Sequence, residues 1–540
     1  MDNKLFIFLH SHLPFSLNKG RWPFGEEWLF EISLSTYLPI LKIFFELKEK
    51  NINFHLNIGL TPVLMDQLKS QYFVEKFLEY IEIKEKRGKN DYERYKNDLK
   101  IKLTLDHYMI ELYELKNLFI KINYDIVDAF KKFQDEGYLE IGTSAITHAY
   151  LPLLKYDFSR ELQIKNGVNV YKKYINKGPN IIWLPECAYK PGIEKILKEA
   201  NIKFFILNYH SLIEESEDVL IYGKGEIKVN LKDKFSTFFL YKTDYGPYAL
   251  LRNPDTSERV WSRDYGYPGD GDYREFHKKS ERSGFQYWKI TDKNLPLNKK
   301  DCYDYKKAIE KSKIHAIDFN NNLEKLFIDF NNKYNLNGLV VAAYDTELFG
   351  HWWYEGVNFI KELLILSNSS KVYKTSNTEN LSKIVPTKKG KFIESSWGLG
   401  GFHYTWYNSN TIWMWEKIHE VEDKFMKISD NIDKKKLNAL LKEKFLLESS
   451  DFPFLVTTST AKDYAISRFN EHYNKFIMLL KNKINIDDIN KDDFAFNNIN
   501  LWRCFNARIK KRSSNRKMGN NSNRKKFKTR RLQNRKRTKK

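Results

Sequence analysis

Two acidic residues each follow an apolar run that predicts a buried β-strand. Glu186 comes after residues 180–184 and Pro185, and Asp345 comes after residues 338–344. Proline cannot donate to a sheet hydrogen bond, so the first strand ends before Glu186. In parallel α/β folds, the loops that follow the strands carry the active site. Two carboxylates so placed can cleave a glycosidic bond, one as nucleophile or base and the other as acid. A surface glutamate at a strand end is the alternative interpretation of Glu186.

Paired tryptophans lie shortly after Asp345. Trp352 and Trp353 follow a glycine and a histidine, a composition that suits a wet, aromatic-lined cleft better than a core. The flat face of an indole can stack on a sugar ring while its N–H finds a polar partner. The sequence therefore predicts a carbohydrate cleft here, with packing of both rings in the core as the alternative. The aromatic content of 15% fits either interpretation.

Histidines occupy the ends of two further predicted strands. His10 and His12 follow residues 4–9, and His148 follows the strand at residues 138–141. The strand period places His10 and His12 on the same side. Such a pair either hydrogen-bonds a substrate beside the carboxylates or supplies two ligands of a metal ion. Because four strand ends present polar groups, we expect them to share one mouth.

These strand ends belong to an alternating pattern of strands and helices, which indicates a parallel α/β architecture. The predicted strands are residues 4–9, 53–58, 138–141, 180–184, 203–207 and 339–344. Residues 61–133 are helical and charged, and we interpret them as an insertion after the second strand with its charges on solvated faces. The length of 540 residues suits a barrel with an appended helical region better than one small domain.

Six ordered motifs resemble glycoside hydrolase family 57, and within it the bacterial 1,4-α-glucan branching enzymes. They are residues 10–15 (HSHLPF), 140–154 (EIGTSAITHAYLPLL), 183–189 (WLPECAY), 260–276 (VWSRDYGYPGDGDYREF), 344–356 (YDTELFGHWWYEG) and 450–472 (SDFPFLVTTSTAKDYAISRFNEH). The resemblance implies an incomplete (β/α)7 barrel at residues 1–400, including the helical insertion at about 61–133. A C-terminal helical domain is implied at residues 401–500.

The resemblance also assigns roles to individual positions. Glu186 matches the nucleophile and Asp345 the general acid/base. The implied substrate-binding residues are His10, His12, His148, Arg263, Trp397, Trp406, Asp451 and Thr460. Thr460 departs from the glutamine that relatives often carry, and Asp272 departs from a tryptophan found in some relatives, so acceptor binding is the least secure part of the transfer. No metal and no cofactor are implied.

The implied reaction is a retaining double displacement on an α-1,4-glucan such as amylose or glycogen. Transfer of the cleaved chain to a 6-hydroxyl forms an α-1,6 branch, whereas transfer to water is hydrolysis. Retention requires carboxyl groups about 5 to 5.5 Å apart. We expect a raised pKa for Asp345, because a general acid must hold its proton near neutral pH. A mobile gating loop is expected within residues 232–254, which include Tyr241, Tyr245 and Tyr248.

Three alternatives stay open at this point. A 4-α-glucanotransferase or α-amylase of the same family is the nearest. A metal-dependent hydrolase or deacetylase is more distant and rests on His10 and His12 near acids on a barrel. A noncatalytic glucan-binding protein is the third, and both intact carboxylates argue against it.

The net charge of +22 does not by itself indicate a nucleic-acid-binding protein, because residues 508–540 carry 17 basic and no acidic residues and leave +5 on the rest. This tail is too polar to form a core and is predicted to be disordered. It either binds RNA or other anionic polymers nonspecifically or is a read-through or frameshift product. Cys187, Cys302 and Cys504 indicate neither a disulfide framework nor a metal site.

The N-terminal apolar strand is too short for a secretory signal and contains the motif histidines. No stretch approaches the roughly 20 apolar residues that a membrane helix requires. We therefore expect a cytoplasmic protein without membrane contact.

Overall fold

The computed structural model describes residues 1–21, 24–212, 216–222, 226–231, 233–262, 265–429 and 431–505, and only the backbone is considered for 216–222 and 226–231. Arg263 and the basic tail at 508–540 lie outside the described residues.

The described residues form twelve strands: β1 (Asn3–Ser11), β2 (Leu56–Leu60), β3 (Leu139–Gly142), β4 (Ile181–Ile182), β5 (Phe204–Leu207), β6 (Ser216–Tyr222), β7 (Glu226–Leu231), β8 (Leu240–Lys242), β9 (Tyr248–Leu251), β10 (Leu339–Asp345), β11 (Tyr373–Thr375) and β12 (Thr387–Lys389).

They also form seventeen α-helices: α1 (Glu26–Ile32), α2 (Leu38–Glu49), α3 (Pro62–Leu68), α4 (Gln71–Arg94), α5 (Leu99–Lys121), α6 (Ile126–Asp135), α7 (Asp157–Ile175), α8 (Ile193–Glu199), α9 (Pro254–Trp261), α10 (Tyr305–Tyr334), α11 (Gly356–Ser369), α12 (Leu381–Ile384), α13 (Ile412–Met426), α14 (Lys434–Leu447), α15 (Asp451–Thr458), α16 (Lys462–Leu480) and α17 (Ile486–Asp492).

Seven parallel strands close into a barrel in the order β1, β2, β3, β4, β5, β9, β10. Continuous ladders join β10-β1-β2-β3 and β4-β5-β9. Single parallel bridges, Thr143 to Ile182 and Arg252 to Val341, complete the ring at its two weaker seams. The predicted incomplete (β/α)7 barrel is confirmed.

The barrel strands are buried on both faces, as is typical of parallel strands covered by helices. The interior is filled by large apolar side chains, among them Phe6, Phe8, Trp183, Ile206 and Val341. A larger apolar cluster packs the helices against the outside of the barrel. Each apolar run in the sequence forms a strand whose side chains pack both in the barrel interior and against the outer helices.

Two sequence expectations are corrected. Only Ile181–Ile182 of the predicted strand at residues 180–184 forms a ladder, because the chain turns at Pro185 into the 3-10 segment that carries Glu186. The expected gating loop within residues 232–254 instead contains β8 and β9, and Tyr241 is buried. The strand β9 was missed in the sequence because the aromatic and polar residues around it show no clear period.

Four helices, α3 to α6, follow β2, in the stretch where an insertion is predicted. Side chains of Ser70, Asp98 and Asp125 accept hydrogen bonds from the first turns of α4, α5 and α6, which satisfies backbone donors that have no partner inside a helix.

The helical run Glu26–Glu49 is long and apolar enough to cross a membrane by length and composition, which corrects the expectation that no stretch approaches that limit. Buried core helices pass the same test, and 61% of its apolar window is buried inside the protein.

Helices α13 to α17 form the C-terminal helical region. α15 begins at Asp451 and packs with α16, which packs with α14. The turn before α15 reaches the barrel, since the Ser450 amide donates to the His148 carbonyl over 3.0 Å. This contact brings C-terminal side chains to the carboxyl ends of the barrel strands.

Candidate active site

A cleft of about 1370 Å³ opens at the carboxyl ends of the barrel strands. All the predicted site residues that the structure describes line it: His10, His12, His148, Glu186, Asp345, Trp397, Trp406, Asp451 and Thr460. The expected shared mouth is therefore present, and the C-terminal helices form one of its walls.

Glu186 is held in a fixed orientation at the base of the cleft. It lies in the short 3-10 segment after β4 with φ 61°, a left-handed conformation that costs a non-glycine residue energy and persists where the surroundings fix it. The Ser450 hydroxyl donates to Oε1 over 2.7 Å, and the Trp397 indole donates to Oε2 over 2.9 Å. Each carboxylate oxygen of Glu186 thus has a donor from a distant part of the chain.

Burial raises the pKa of Glu186 to about 7, against the hydrogen bonds from Ser450 and Trp397, which lower it. Burial dominates because it disfavours the charged form more than two hydrogen bonds favour it. Glu186 is therefore ionised in a large fraction of molecules only at neutral pH and above.

Asp345 ends β10 and lies in parallel register with His10 of β1. Burial raises the pKa of its carboxyl group well above the usual value, and the negative charges of Glu347 and Glu186 raise it further, while Arg252 lowers it. The direction agrees with the expectation from the sequence. Asp345 is suited to hold a proton while Glu186 is ionised, as a general acid must.

Glu347 is a third buried carboxylate beside this pair, and the sequence analysis missed it. The Tyr37 hydroxyl donates to Oε1 over 2.5 Å, and the His12 amide donates to the same oxygen over 3.1 Å. Burial raises the pKa of Glu347 to about 7. Its position two residues after Asp345, in a motif quoted above, was the available signal.

A directional chain of hydrogen bonds runs from His10 to Glu186. His10 Nε2 and His148 Nε2 are 2.9 Å apart, and His148 Nδ1 and Ser450 Oγ are 2.9 Å apart. Since Ser450 donates its only proton to Glu186, its oxygen must accept from His148 Nδ1–H. Burial lowers the pKa of both histidines well below the usual value, so each carries one proton, and His10 Nε2–H must donate to His148.

His12 and Asp451 form a second polar pair at the cleft wall. His12 Nε2 lies 2.9 Å from Asp451 Oδ2, and His12 Nδ1 lies 3.1 Å from Thr61 Oγ1. Although burial acts to raise it, His12 and Ser449 lower the pKa of Asp451 below the usual value. Asp451 thus places a negative charge near Glu186, where it adds to the raised pKa of that residue.

His12, His148 and Asp451 are close enough together to be considered as metal ligands, but the ring geometry fits a metal poorly. The His12 and His148 rings stack with centroids 3.9 Å apart and planes 18° apart. A histidine nitrogen binds metal through a lone pair in its ring plane, so lone pairs of two stacked rings run side by side and do not converge on one ion. The stacking therefore argues against one metal ion bound by both histidines.

The paired tryptophans have separate roles, which corrects the expectation that both line the cleft. Trp352 is 54% exposed and lines the cleft, whereas Trp353 is 1% exposed and packs on Phe359. Trp406 reaches the cleft but is 1% exposed and stacks on Tyr150 with centroids 4.6 Å apart. Trp406 therefore supports the cleft wall and offers little open ring face.

The two departures from the family pattern lie in different places. Thr460 lines the cleft, and its hydroxyl lies 2.9 Å from that of Thr458. Asp272 forms an ion pair with Lys289 at 3.0 Å and does not line the cleft among the described residues. The change at Asp272 is thus removed from the carboxylates.

Arg252 and Ser450 also contact the site and were missed. The Arg252 guanidinium lies 5.2 Å from the Trp397 ring centre, and its Nε donates to the Ala343 carbonyl over 3.2 Å. Nothing in the sequence marked Arg252, whereas Ser450 precedes Asp451 in a quoted motif. Arg252 follows β9 and lines the cleft, whereas Ser450 precedes α15 and is buried behind Glu186.

Family models match most of the chain. Residues 6–391 match glycosyl hydrolase family 57, and residues 412–502 match the C-terminal region of 1,4-alpha-glucan branching enzymes. A 1,4-alpha-glucan branching enzyme of Thermococcus kodakarensis is 38% identical over 502 residues, which cover 88% of this chain and 73% of that protein.

Solved structures agree. The branching enzyme of the hyperthermophilic archaeon Pyrococcus horikoshii has a TM-score of 0.85 and 36% identity, covering 93% of this chain and 97% of that one. The alpha-amylase AmyC of Thermotoga maritima has a TM-score of 0.80 and 31% identity, covering 93% and 98%.

Proposed function

This chain belongs to glycosyl hydrolase family 57, and we propose that it is a 1,4-alpha-glucan branching enzyme that works by retaining double displacement. One observation carries the mechanism: Glu186 follows one barrel strand and Asp345 ends another, both line one cleft, and the negative charge of ionised Glu186 raises the pKa of Asp345 and so helps to keep Asp345 protonated. A pair in which one carboxyl group holds a proton while the other is ionised can supply the general acid and the nucleophile.

In the first step, Glu186 attacks the anomeric carbon of an α-1,4-linked glucosyl unit while Asp345 protonates the departing glycosidic oxygen. The bonds from Ser450 and Trp397 hold the attacking carboxylate in place. The chain is then bound to Glu186 as a covalent ester, and Asp345 has lost its proton.

In the second step, Asp345 takes the proton of the acceptor hydroxyl as that oxygen attacks the anomeric carbon and releases Glu186. A 6-hydroxyl of a second glucan segment gives an α-1,6 branch. Water in its place gives a free reducing end, so the ratio of the two products depends on how the cleft orders the acceptor. The exposed ring of Trp352 supplies a stacking face for a glucose unit in this cleft.

The test is incubation of the purified protein with amylose, followed by proton NMR for α-1,6 anomeric signals and a reducing-sugar assay. We expect new α-1,6 signal with few reducing ends, and Glu186→Gln should abolish it. Glu140→Gln is the matched control, because Glu140 is a buried carboxylate on β3 that binds Thr378 and does not line the cleft.

Reducing ends without α-1,6 signal would instead indicate an α-amylase, as the similar protein AmyC is described. An active Glu186→Gln protein would contradict the mechanism.

A further inference from the structure

Helix α5 has two apolar faces. One packs in the protein through residues such as Ile101, Leu105, Leu112, Leu115 and Phe119. The opposite face is exposed and carries Leu99 (70% exposed), Leu103 (62%), Ile110 (59%), Tyr113 (65%) and Ile120 (44%), continued beyond the helix end by Tyr124 (37%). We call these six side chains the α5 stripe.

The α5 stripe follows the spacing of a helix-packing seam. Together with Asp106 and Asn117, its positions on the helix advance by four and three residues in alternation from residue 99 to residue 120. This heptad spacing keeps one row of side chains facing a partner helix along its whole length. Monomeric proteins rarely expose contiguous apolar patches above a few hundred Å² unless the patch binds something.

The order of apolar and polar positions on the helix row is the same when it is read from either end of the helix. About a midpoint between residues 111 and 112, Ile110 matches Tyr113, Asp106 matches Asn117, and Leu103 matches Ile120. An antiparallel pair of identical helices would therefore place apolar residues opposite apolar residues. The only polar layers on the helix row, two related by the symmetry, would each join the Asn117 amide to the Asp106 carboxylate.

We propose that a second copy of this chain docks on the α5 stripe through antiparallel pairing of the two α5 helices about a two-fold axis. Such an interface is isologous, so the same patch serves both copies. The Tyr92 hydroxyl donates to Oδ1 of Asp106 over 2.8 Å. Oδ2 of Asp106 then accepts from the Asn117 amide of the second copy.

The dimensions suit a dimer. A helix of 23 residues is about 34 Å long at 1.5 Å per residue. At the exposed fractions above, the stripe presents on the order of 600 Å², comparable with the roughly 800 Å² that each partner buries in a standard interface. Lys100 of one copy approaches Lys121 of the other at each end, so salt should strengthen the dimer by screening this repulsion.

The test is sedimentation velocity and light scattering on the full chain across a concentration series. We expect a species of twice the 64.6 kDa chain mass. Ile110→Lys and Tyr113→Glu should each raise the dimer Kd by roughly a hundredfold or more, because each buries an unpaired charge twice at the centre of the interface. Ile314→Lys on α10 is the matched control, since Ile314 is 58% exposed outside the stripe.

Mixing the Ile110→Lys and Tyr113→Glu proteins tests whether the two α5 helices pair in the antiparallel direction. In the antiparallel pair, the introduced lysine of one copy faces the introduced glutamate of the other, and the other central layer stays native. The mixture should therefore form a heterodimer at concentrations where each variant alone is monomeric.

Thermal melting and amylose branching of each variant show that it is folded. A protein that is monomeric at every concentration overturns the proposal. So does a dimer that Ile110→Lys leaves intact, or a mixture that stays monomeric.

Discussion

Ser450→Ala tests whether the hydrogen-bond chain from His10 controls the nucleophile. Ser450 is fully buried, and its hydroxyl donates to Glu186 over 2.7 Å while accepting from His148. Removing the hydroxyl deletes a hydrogen bond to a charged group, worth about 1.5 to 3 kcal/mol. If this hydrogen bond stabilises only the ionised form of Glu186, its loss raises the pKa of Glu186 by about one to two units, at 1.36 kcal/mol per unit.

Two measurements follow from this magnitude. At neutral pH we expect kcat on amylose to fall by roughly ten- to a hundredfold, since 1.4 kcal/mol is a factor of ten. The acid limb of the pH profile should move to higher pH, so that activity recovers partly on the alkaline side. KM should change little, because Ser450 is buried behind the carboxylate.

Ser450→Thr keeps the hydroxyl and should retain the wild-type pH profile. Ser211→Ala is the matched control, because Ser211 is a fully buried serine whose hydroxyl bonds to Ser395 at 2.6 Å. An Ser450→Ala enzyme with an unmoved acid limb and kcat within about twofold would refute the assignment, because that change corresponds to less than about 0.5 kcal/mol.

Four further results are expected. The pH profile of kcat/KM should fall below about pH 7, where Glu186 with its pKa of about 7 gains a proton, and fall again on the alkaline side as Asp345 loses its proton. Glu347→Gln removes a charge that raises the pKa of Asp345 and should move the alkaline limb to lower pH; an unmoved limb would count against that coupling. Trp352→Ala should raise KM for amylose with little change in Tm. Trp353→Ala should lower the free energy of unfolding by about 3 to 5 kcal/mol, as measured by urea unfolding. Equal effects of the two substitutions would contradict the separate roles of these tryptophans. Exhaustive chelation should leave branching unchanged because His12 and His148 stack, and loss of activity restored by added zinc would revive a metal mechanism.

The sequence determined the two carboxylates and the architecture that presents them. Glu186 and Asp345 each follow an apolar run long enough to be recognised as a buried strand, and local hydrophobicity decides strand formation in a parallel sheet. The same signal predicted β1, β2, β3 and β5. It failed at β9, because residues 232–254 mix aromatic and polar side chains without a clear period, and this segment was mistaken for a mobile loop.

Only the tertiary structure decided what surrounds the carboxylates. The Ser450 bond to Glu186 spans 264 positions in the chain, and the Trp397 bond spans 211. Such contacts depend on how the C-terminal helices pack on the barrel, which no local pattern encodes. The pKa of Glu186 likewise follows from burial in the assembled cleft, so the sequence could identify the residue and not its protonation.

Trp352 and Trp353 show the same division. The sequence identified two adjacent aromatic residues at a strand end, and residue type alone suits both a sugar-binding face and a core. The turn after β10 directs one ring into the cleft and the other against Phe359. The residue types thus determined which chemistry was available at each strand end, and the packing of distant segments determined which side chains could take part in it.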